Sequence, residues 1–253
     1  MEQAAHAGKS SDAFIVLGDL FDTTKPTPQV IARVMRVLRD GNPNTLLLVG
    51  NHDQVSTYSG DHAMAPLGEL PNVTVVERSK KFIESSATPL AVVPFRPGNA
   101  REWLPEELAK LGDLTGYTVC IHLGIMDGKT PKFLAAAHDA IHVDQLRALQ
   151  AEFNFRRVLA GNWHHKYIWE FQEPKLTVVQ TGALVPTGFD NPGLEGYGTV
   201  GTVNDDETVH TEEIPGPRFV KCKSVEEVQA ACDSVGKHVR VRLVVPPNQV
   251  NTH

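Results

Sequence analysis

Short apolar runs separated by polar, glycine-bearing turns dominate the first two thirds of this chain. Phe14–Leu17 is apolar throughout and closes on Gly18, and Thr45–Val49 closes on Gly50. Runs of this length, bounded by turn residues, predict strands buried on both faces. Val73–Val76, Leu90–Val93, Tyr117–Ile121 and Arg157–Ala160 repeat the pattern. Between the first two runs the apolar period lengthens to that of a helix: Val30, Val34, Val37 and Leu38 fall at helical spacing in a segment from Pro28 to about Arg39, which Asp40-Gly41 ends. Glu102–Lys110 and Val143–Gln150 also read as helices. Strands alternating with helices predict a layered α/β domain.

Beyond Tyr167 the pattern changes to consecutive strands with glycine turns: Ile168–Phe171, Leu176–Gln180, Tyr197–Val203 and Thr208–Glu213. The Ile214-Pro-Gly-Pro217 stretch reads as a hinge. After it, a strand over Arg218–Lys223, a helix over Val225–Ser234 and a strand over His238–Val245 predict a small βαβ appendage. The expected organisation is therefore a core over residues 1–213 and an appendage over 214–253.

Composition narrows the class. At 253 residues, with 41% hydrophobic and 21% charged, the chain can bury a sizeable core without staples. Its cysteines, Cys120, Cys222 and Cys232, are odd in number and lack CxxC spacing, which points to a reducing compartment. No apolar run approaches the roughly 20 residues needed to cross a bilayer, and the N-terminal stretch lacks the apolar middle of a secretion signal, so a cytoplasmic location away from membranes is expected. A net charge of -6 argues against a broad nucleic-acid-binding face. Any nucleic acid would have to be held locally, by metals, or with a partner's help.

The strand ends carry the chemistry. Phe14–Leu17 runs into Gly18-Asp19-Leu20-Phe21-Asp22, Thr45–Val49 into Gly50-Asn51-His52-Asp53, Tyr117–Ile121 into His122, and Arg157–Ala160 into Gly161-Asn162-Trp163-His164-His165. The carboxyl ends of strands in an open α/β sheet form the crevice where ligands bind, so these segments are expected to converge. Asp19 offers two carboxylate oxygens that could bridge two cations, Asn51 a neutral carbonyl oxygen, and His122 and His164 imidazole nitrogens suited to manganese, iron or zinc. A metal pair roughly 3.5–4 Å apart would activate water and clamp a phosphate. His52 would then protonate the leaving oxygen, with Asp22 orienting its ring.

GDLFD, GNHD, a histidine closing an apolar strand and a late G-x-x-H together resemble the motif series of the calcineurin-like metallophosphoesterases, in order, over about residues 12 to 203. Within that superfamily the chain is most similar to the Mre11/SbcD nuclease subunit, bacteriophage relatives included. GDLFD has a phenylalanine before its second aspartate, and Thr23 and Thr24 follow where the protein phosphatases have Arg-Gly. The stretch Gln180-Thr-Gly-Ala-Leu-Val-Pro-Thr-Gly-Phe189, Gly196-Tyr-Gly198, and Pro217-Arg-Phe219 at the entry to a small capping domain add to the likeness. The resemblance implies a β-sheet sandwich flanked by helices with a small C-terminal α/β appendage, and a metal-dependent phosphodiesterase acting on DNA. It also implies two divalent metals, manganese first among them, an SbcC/Rad50-like ATPase as partner, a homodimer as one oligomeric option, and a host cytoplasm if the gene is phage-borne. Two rivals stand beside this reading: a weak or inactive relative that binds DNA ends or scaffolds the ATPase, and a phosphatase of small phosphate esters.

The chain departs from the motif series twice. Nothing before Asp19 matches the family's opening Asp-x-His, so either the chain begins late or one metal is bound poorly. Residues before Phe14 read like the helix that follows that strand. In the family's Gly-His-x-His the first histidine is replaced by Asn162 and the second retained as His164. The resemblance then leaves one metal with Asp19, Asn51 and His122, with Asn162 the weaker replacement ligand, and the other with Asp19 and His164. His138 and His142 lack the glutamate of a HExxH pair and read as a polar helix face. Trp163 reads as packing at the cleft edge. Arg96, Lys129, Lys132, Arg156, Arg157 and Lys166 read mainly as scattered surface rather than a phosphate rim.

Overall fold

The computed structural model describes residues 1–55, 61–82, 88–131, 134, 136–185, 197–204, 208–215, 218–235 and 239–244. Lys132 and the expectations resting on positions 186–189, 196, 216, 217, 238 and 245 lie outside them.

A short helix, α1 (Glu2–Ala7), precedes β1 (Phe14–Val16), α2 (Pro28–Arg39), β2 (Thr45–Leu48) and β3 (Val73–Val76). Next come β4 (Lys80–Phe82), β5 (Leu90–Val93), α3 (Ala100–Leu111), β6 (Thr118–Ile121), β7 (Gly124–Met126), β8 (Ala140–His142) and α4 (Val143–Phe153). The chain continues through β9 (Arg157–Ala160), β10 (Tyr167–Gln172), β11 (Lys175–Gln180), β12 (Tyr197–Val203) and β13 (Val209–Pro215). It closes with β14 (Arg218–Cys222), α5 (Val225–Val235) and β15 (Val239–Leu243).

Two sheets form the body. One is three-stranded and parallel, in the order β1-β2-β3; the other is six-stranded, in the order β10-β11-β9-β6-β5-β4, with antiparallel strands at both edges. Side chains alternate across each strand, and the alternation sorts them into three cores. Leu46 and Leu48 of β2 meet Val92 of β5 and Cys120 of β6 between the sheets, with Ile15 and Leu159 beside them. Leu47 faces the other way, toward α2. Val119, Ile121, Val158 and Val178 turn outward from the six-stranded sheet to pack under α3 and α4. The result is a helix–sheet–sheet–helix sandwich, the layered α/β domain expected from the residues in the form that the family resemblance implied.

Local chemistry accounts for the boundaries. Thr27 caps α2 by accepting from the Val30 N–H, and Pro28 opens the helix where its missing N–H costs nothing. The buried side of α2 is Ile31, Val34, Met35 and Leu38, whereas Val30 is 45% exposed. His142 is not on a helix face: it ends β8 and caps α4 in a capping box with Gln145, and His138 precedes β8 in a turn. α4 runs past Gln150 to Phe153 and ends at Asn154 in the left-handed conformation. The strands β4, β7 and β8, three residues each, are too short to stand out as runs in the sequence.

β12 and β13 form an antiparallel hairpin, and β13 carries Ile214 and Pro215, so the expected hinge begins inside a strand. β14 and β15 pair in parallel with α5 between them, which is the βαβ arrangement read from the sequence. Among the described residues no helix is long and apolar enough to cross a membrane.

Candidate metal centre

The turns after β1 and β2 touch, and glycine makes the contact possible. Gly18 and Asp19 both have positive φ, +94° and +50°, so the chain reverses sharply at the end of β1. A Cβ on Gly18 would collide with the His122 ring, and one on Gly50 would collide with the Asp19 carboxylate and backbone nitrogen. Asp19 Oδ1 accepts from the His52 N–H at 2.9 Å. Beneath it, the fully buried Asp53 accepts from the Gly50 N–H at 2.9 Å and the Phe21 N–H at 3.2 Å. Asp53 thereby ties the two motif loops together, a role the sequence reading missed although the residue is the last letter of GNHD.

His122 reaches this corner from β6 with its side chain fully buried. Its Nδ1 lies 2.5 Å from the carbonyl oxygen of Leu17. A carbonyl can only accept, so Nδ1 carries the proton. In the neutral ring Nε2 is then a lone-pair acceptor, and it sits 2.9 Å from Asn51 Oδ1 and 3.2 Å from Asp19 Oδ2. Three acceptor atoms from three strand ends thus face one another, an arrangement that calls for a positive charge among them. A backbone carbonyl that fixes the far nitrogen is also how metal-bound imidazoles are commonly oriented.

Electrostatics agree with a cation-seeking corner. Burial pulls the Asp19 carboxyl up, but a proton on His122 Nε2, the His52 N–H and imidazole charge would outweigh it and hold the group below its ordinary value, so positive charge at this corner favours the carboxylate whether a proton or a cation carries it. Burial raises Asp53 above the usual carboxylate range despite its two N–H donors. His164 is lowered, chiefly by burial, against the pull of Asp19, so its imidazole is more readily neutral.

Asp19, Asp22, His52, Asn162, Trp163 and His164 line one cleft of about 550 Å³. His52 Nδ1 is 3.8 Å from Asp22 Oδ1, with both side chains more than half exposed, so the pair is an ion contact rather than a hydrogen bond. Asn162, at φ +79°, donates through Nδ2 to Asp139 Oδ2 at 2.9 Å and to the Asp139 carbonyl at 3.2 Å. Neither bond runs to Asp19, Asn51 or His122. Trp163 packs against Gly124, in line with a packing role. Arg157 is buried against Thr118, and Arg96 is engaged by Glu106 and Glu107. Among the described residues no three His, Cys, Asp or Glu side chains group tightly enough to hold a metal by themselves. The Asp19–Asn51–His122 corner fits one divalent cation only because an amide oxygen supplies the third donor.

Residues 2–181 match the family model described as Calcineurin-like phosphoesterase. None of the curated proteins compared with the chain matches it. Among solved structures, TT1561 of Thermus thermophilus is similar at 15% identity, over 84% of this chain and 90% of that one, with a TM-score of 0.53. A protein of Staphylococcus aureus assigned as a 5'-nucleotidase is similar at 14% identity, over 85% of this chain and 48% of that one, with a TM-score of 0.46. A protein of Streptococcus pneumoniae classed as a phosphoesterase is similar at 13% identity, over 80% and 95%, with a TM-score of 0.34. At such identities the first of these speaks to fold alone, and the other two carry no weight. With the family model spanning most of the chain and the motif loops gathered at one corner of its two sheets, the chain belongs to the calcineurin-like phosphoesterases, a family of metal-dependent hydrolytic enzymes.

Proposed function

We propose that this chain is a metal-dependent phosphodiesterase acting on DNA, of the Mre11/SbcD type. One observation carries the hydrolytic reading: Asp19 Oδ2, Asn51 Oδ1 and His122 Nε2 converge as uncompensated acceptors beside His52. These three would hold one cation, with His164 and the second oxygen of Asp19 offered to another. A divalent cation there supplies Lewis acidity toward phosphoryl oxygens and an acidified water.

The protein's own groups do the rest. His52, more than half exposed at the cleft, donates a proton to the leaving oxygen, and Asp22 at 3.8 Å stands where it can orient the ring. Leu17 fixes the His122 tautomer and Asp53 fixes the two loops. The preference for DNA, for manganese and for work with an SbcC/Rad50-like ATPase rests on the GDLFD-Thr-Thr signature and the downstream stretches that resemble that branch.

The test pairs calorimetric manganese titration with hydrolysis of a linear DNA duplex and of p-nitrophenyl phosphate. Cation binding with DNA cleavage is expected. Cleavage of the small ester alone would replace the DNA reading with the phosphatase one. Stoichiometric DNA binding without cation binding or cleavage would favour the non-hydrolytic scaffold, a reading that the Asn162–Asp139 bonds support.

A further inference from the structure

We propose that a second cavity, separated from the metal corner by Phe95, is a subsite for an unpaired nucleobase bearing an exocyclic amine, which Glu77 reads as hydrogen-bond acceptor. This rests on the DNA reading above and names the part of the substrate that the cavity takes.

The cavity, of about 530 Å³, opens at the carboxyl ends of β2, β3 and β5, one strand over from the corner. Val49 lines it and runs directly into the Gly50-Asn51 turn, so cavity and corner share a wall. Phe95 is the aromatic part of that wall: its ring meets the His122 ring edge-on at 88°, with centroids 6.3 Å apart. Its backbone is fixed on both sides, the N–H donating to the Val49 carbonyl at 2.9 Å and the carbonyl accepting from the Gln54 amide at 3.2 Å. A group attached to a phosphate at the corner therefore has Val49, Pro94, Phe95 and Leu111 beside it, in a space of ordinary size for a small-ligand site.

Glu77, on the rim, is 59% exposed, yet it is held at 2.9 Å by Nε2 of His62, whose side chain is 3% exposed. A carboxylate only accepts, so Nε2 carries the proton. The Nδ1 atom of this buried ring has no partner among the described residues, which is unfavourable, so the arrangement gives up stability to fix one surface carboxylate. The cations of the cavity do not call for a phosphate: Arg96 is engaged by Glu106 and Glu107, Lys110 by Glu107, and Arg78 stands next to Glu77. A fixed acceptor beside an aromatic wall instead suits a flat ring that presents N–H groups. Cytosine offers an amine where thymine offers a carbonyl oxygen, so Glu77 favours the first and repels the second. A base held there is out of any duplex.

Hydrolysis of short single-stranded oligodeoxycytidylate and oligothymidylate by the manganese-loaded full chain tests this. In the parent kcat/KM is expected to favour cytosine about tenfold, through KM, and in Glu77→Ala the two substrates should come within about twofold of each other. Deoxycytidine at millimolar concentration should shift the Glu77 and Phe95 amide resonances of the parent, and thymidine should not; this mapping decides even where the variant fails to fold. Equal kcat/KM on both oligonucleotides in the parent, a cytosine preference that survives Glu77→Ala, or shifts confined to other residues would each overturn the subsite and leave the DNA reading standing. Hydrolysis of bis-p-nitrophenyl phosphate, a diester without a base, with neither oligonucleotide cut would overturn both.

Discussion

Asp53→Ala removes the acceptor for the Gly50 and Phe21 N–H groups while leaving every proposed cation donor in place. A buried donor stranded without a partner costs about 1–3 kcal/mol, so two strand roughly 2–6 kcal/mol. Part of that is returned, because burial raises the Asp53 carboxyl and so disfavours the charge that alanine removes. A net loss of about 2–4 kcal/mol follows, which for a chain of this size lowers Tm by roughly 4–16 °C. Asp53→Asn keeps one acceptor oxygen and should lose about half as much. Urea unfolding at neutral pH measures both, and manganese titration at a temperature where the variants stay folded measures the effect on the corner. The tie also holds Asn51 against Asp19, so weaker cation binding is expected in step with lost stability. If Asp53→Ala unfolds within about 0.5 kcal/mol of the parent and binds manganese unchanged, the loops are held by something else.

Asp53 also has a pH signature. Its folded-state value lies above the ordinary one, so its stabilising contribution is complete below the ordinary carboxylate range and is lost as pH rises through the raised value; the stability gap between parent and Asp53→Asn should widen from pH 7 to pH 4, and a gap that narrows would contradict the burial argument. His52→Ala should lower hydrolysis by about 10²–10⁴ with manganese affinity nearly intact, and loss of the metal would mark His52 as a ligand. Gly50→Ala drives a methyl group into Asp19 and should cost about 10² in rate through misplacement, which single-turnover kinetics would detect. Breaking the exposed Glu2–Arg33 pair with Arg33→Ala should change unfolding free energy by no more than about 1 kcal/mol in urea titration.

Much of the architecture was legible because the buried strands leave continuous apolar runs, and those that close on Gly18, Gly50 and Gly161 lead straight into a motif. Thr45–Leu48 and Thr118–Ile121 are buried at every position, so their composition alone marked them. β7 and β8 escaped because three residues carry no measurable period, and His142 was misread because a capping histidine and a helical one look alike at that spacing. The convergence of Asp19, Asn51 and His122 followed from the rule that ligands gather at strand ends. The Asp53 tie, the Leu17 carbonyl and the Asn162–Asp139 bonds did not, since each depends on which way a backbone or amide group points once the sheets have closed on one another.

Leu17 belongs to the three-stranded layer and His122 to the six-stranded one, and their hydrogen bond is a rivet between the layers. Slippage or swelling in the interlayer filling of Leu46, Leu48, Val92 and Cys120 would therefore rotate an imidazole some distance away. A substitution there, remote from any donor atom, would register first as a change in ion affinity, making the corner a strain gauge for the whole sandwich.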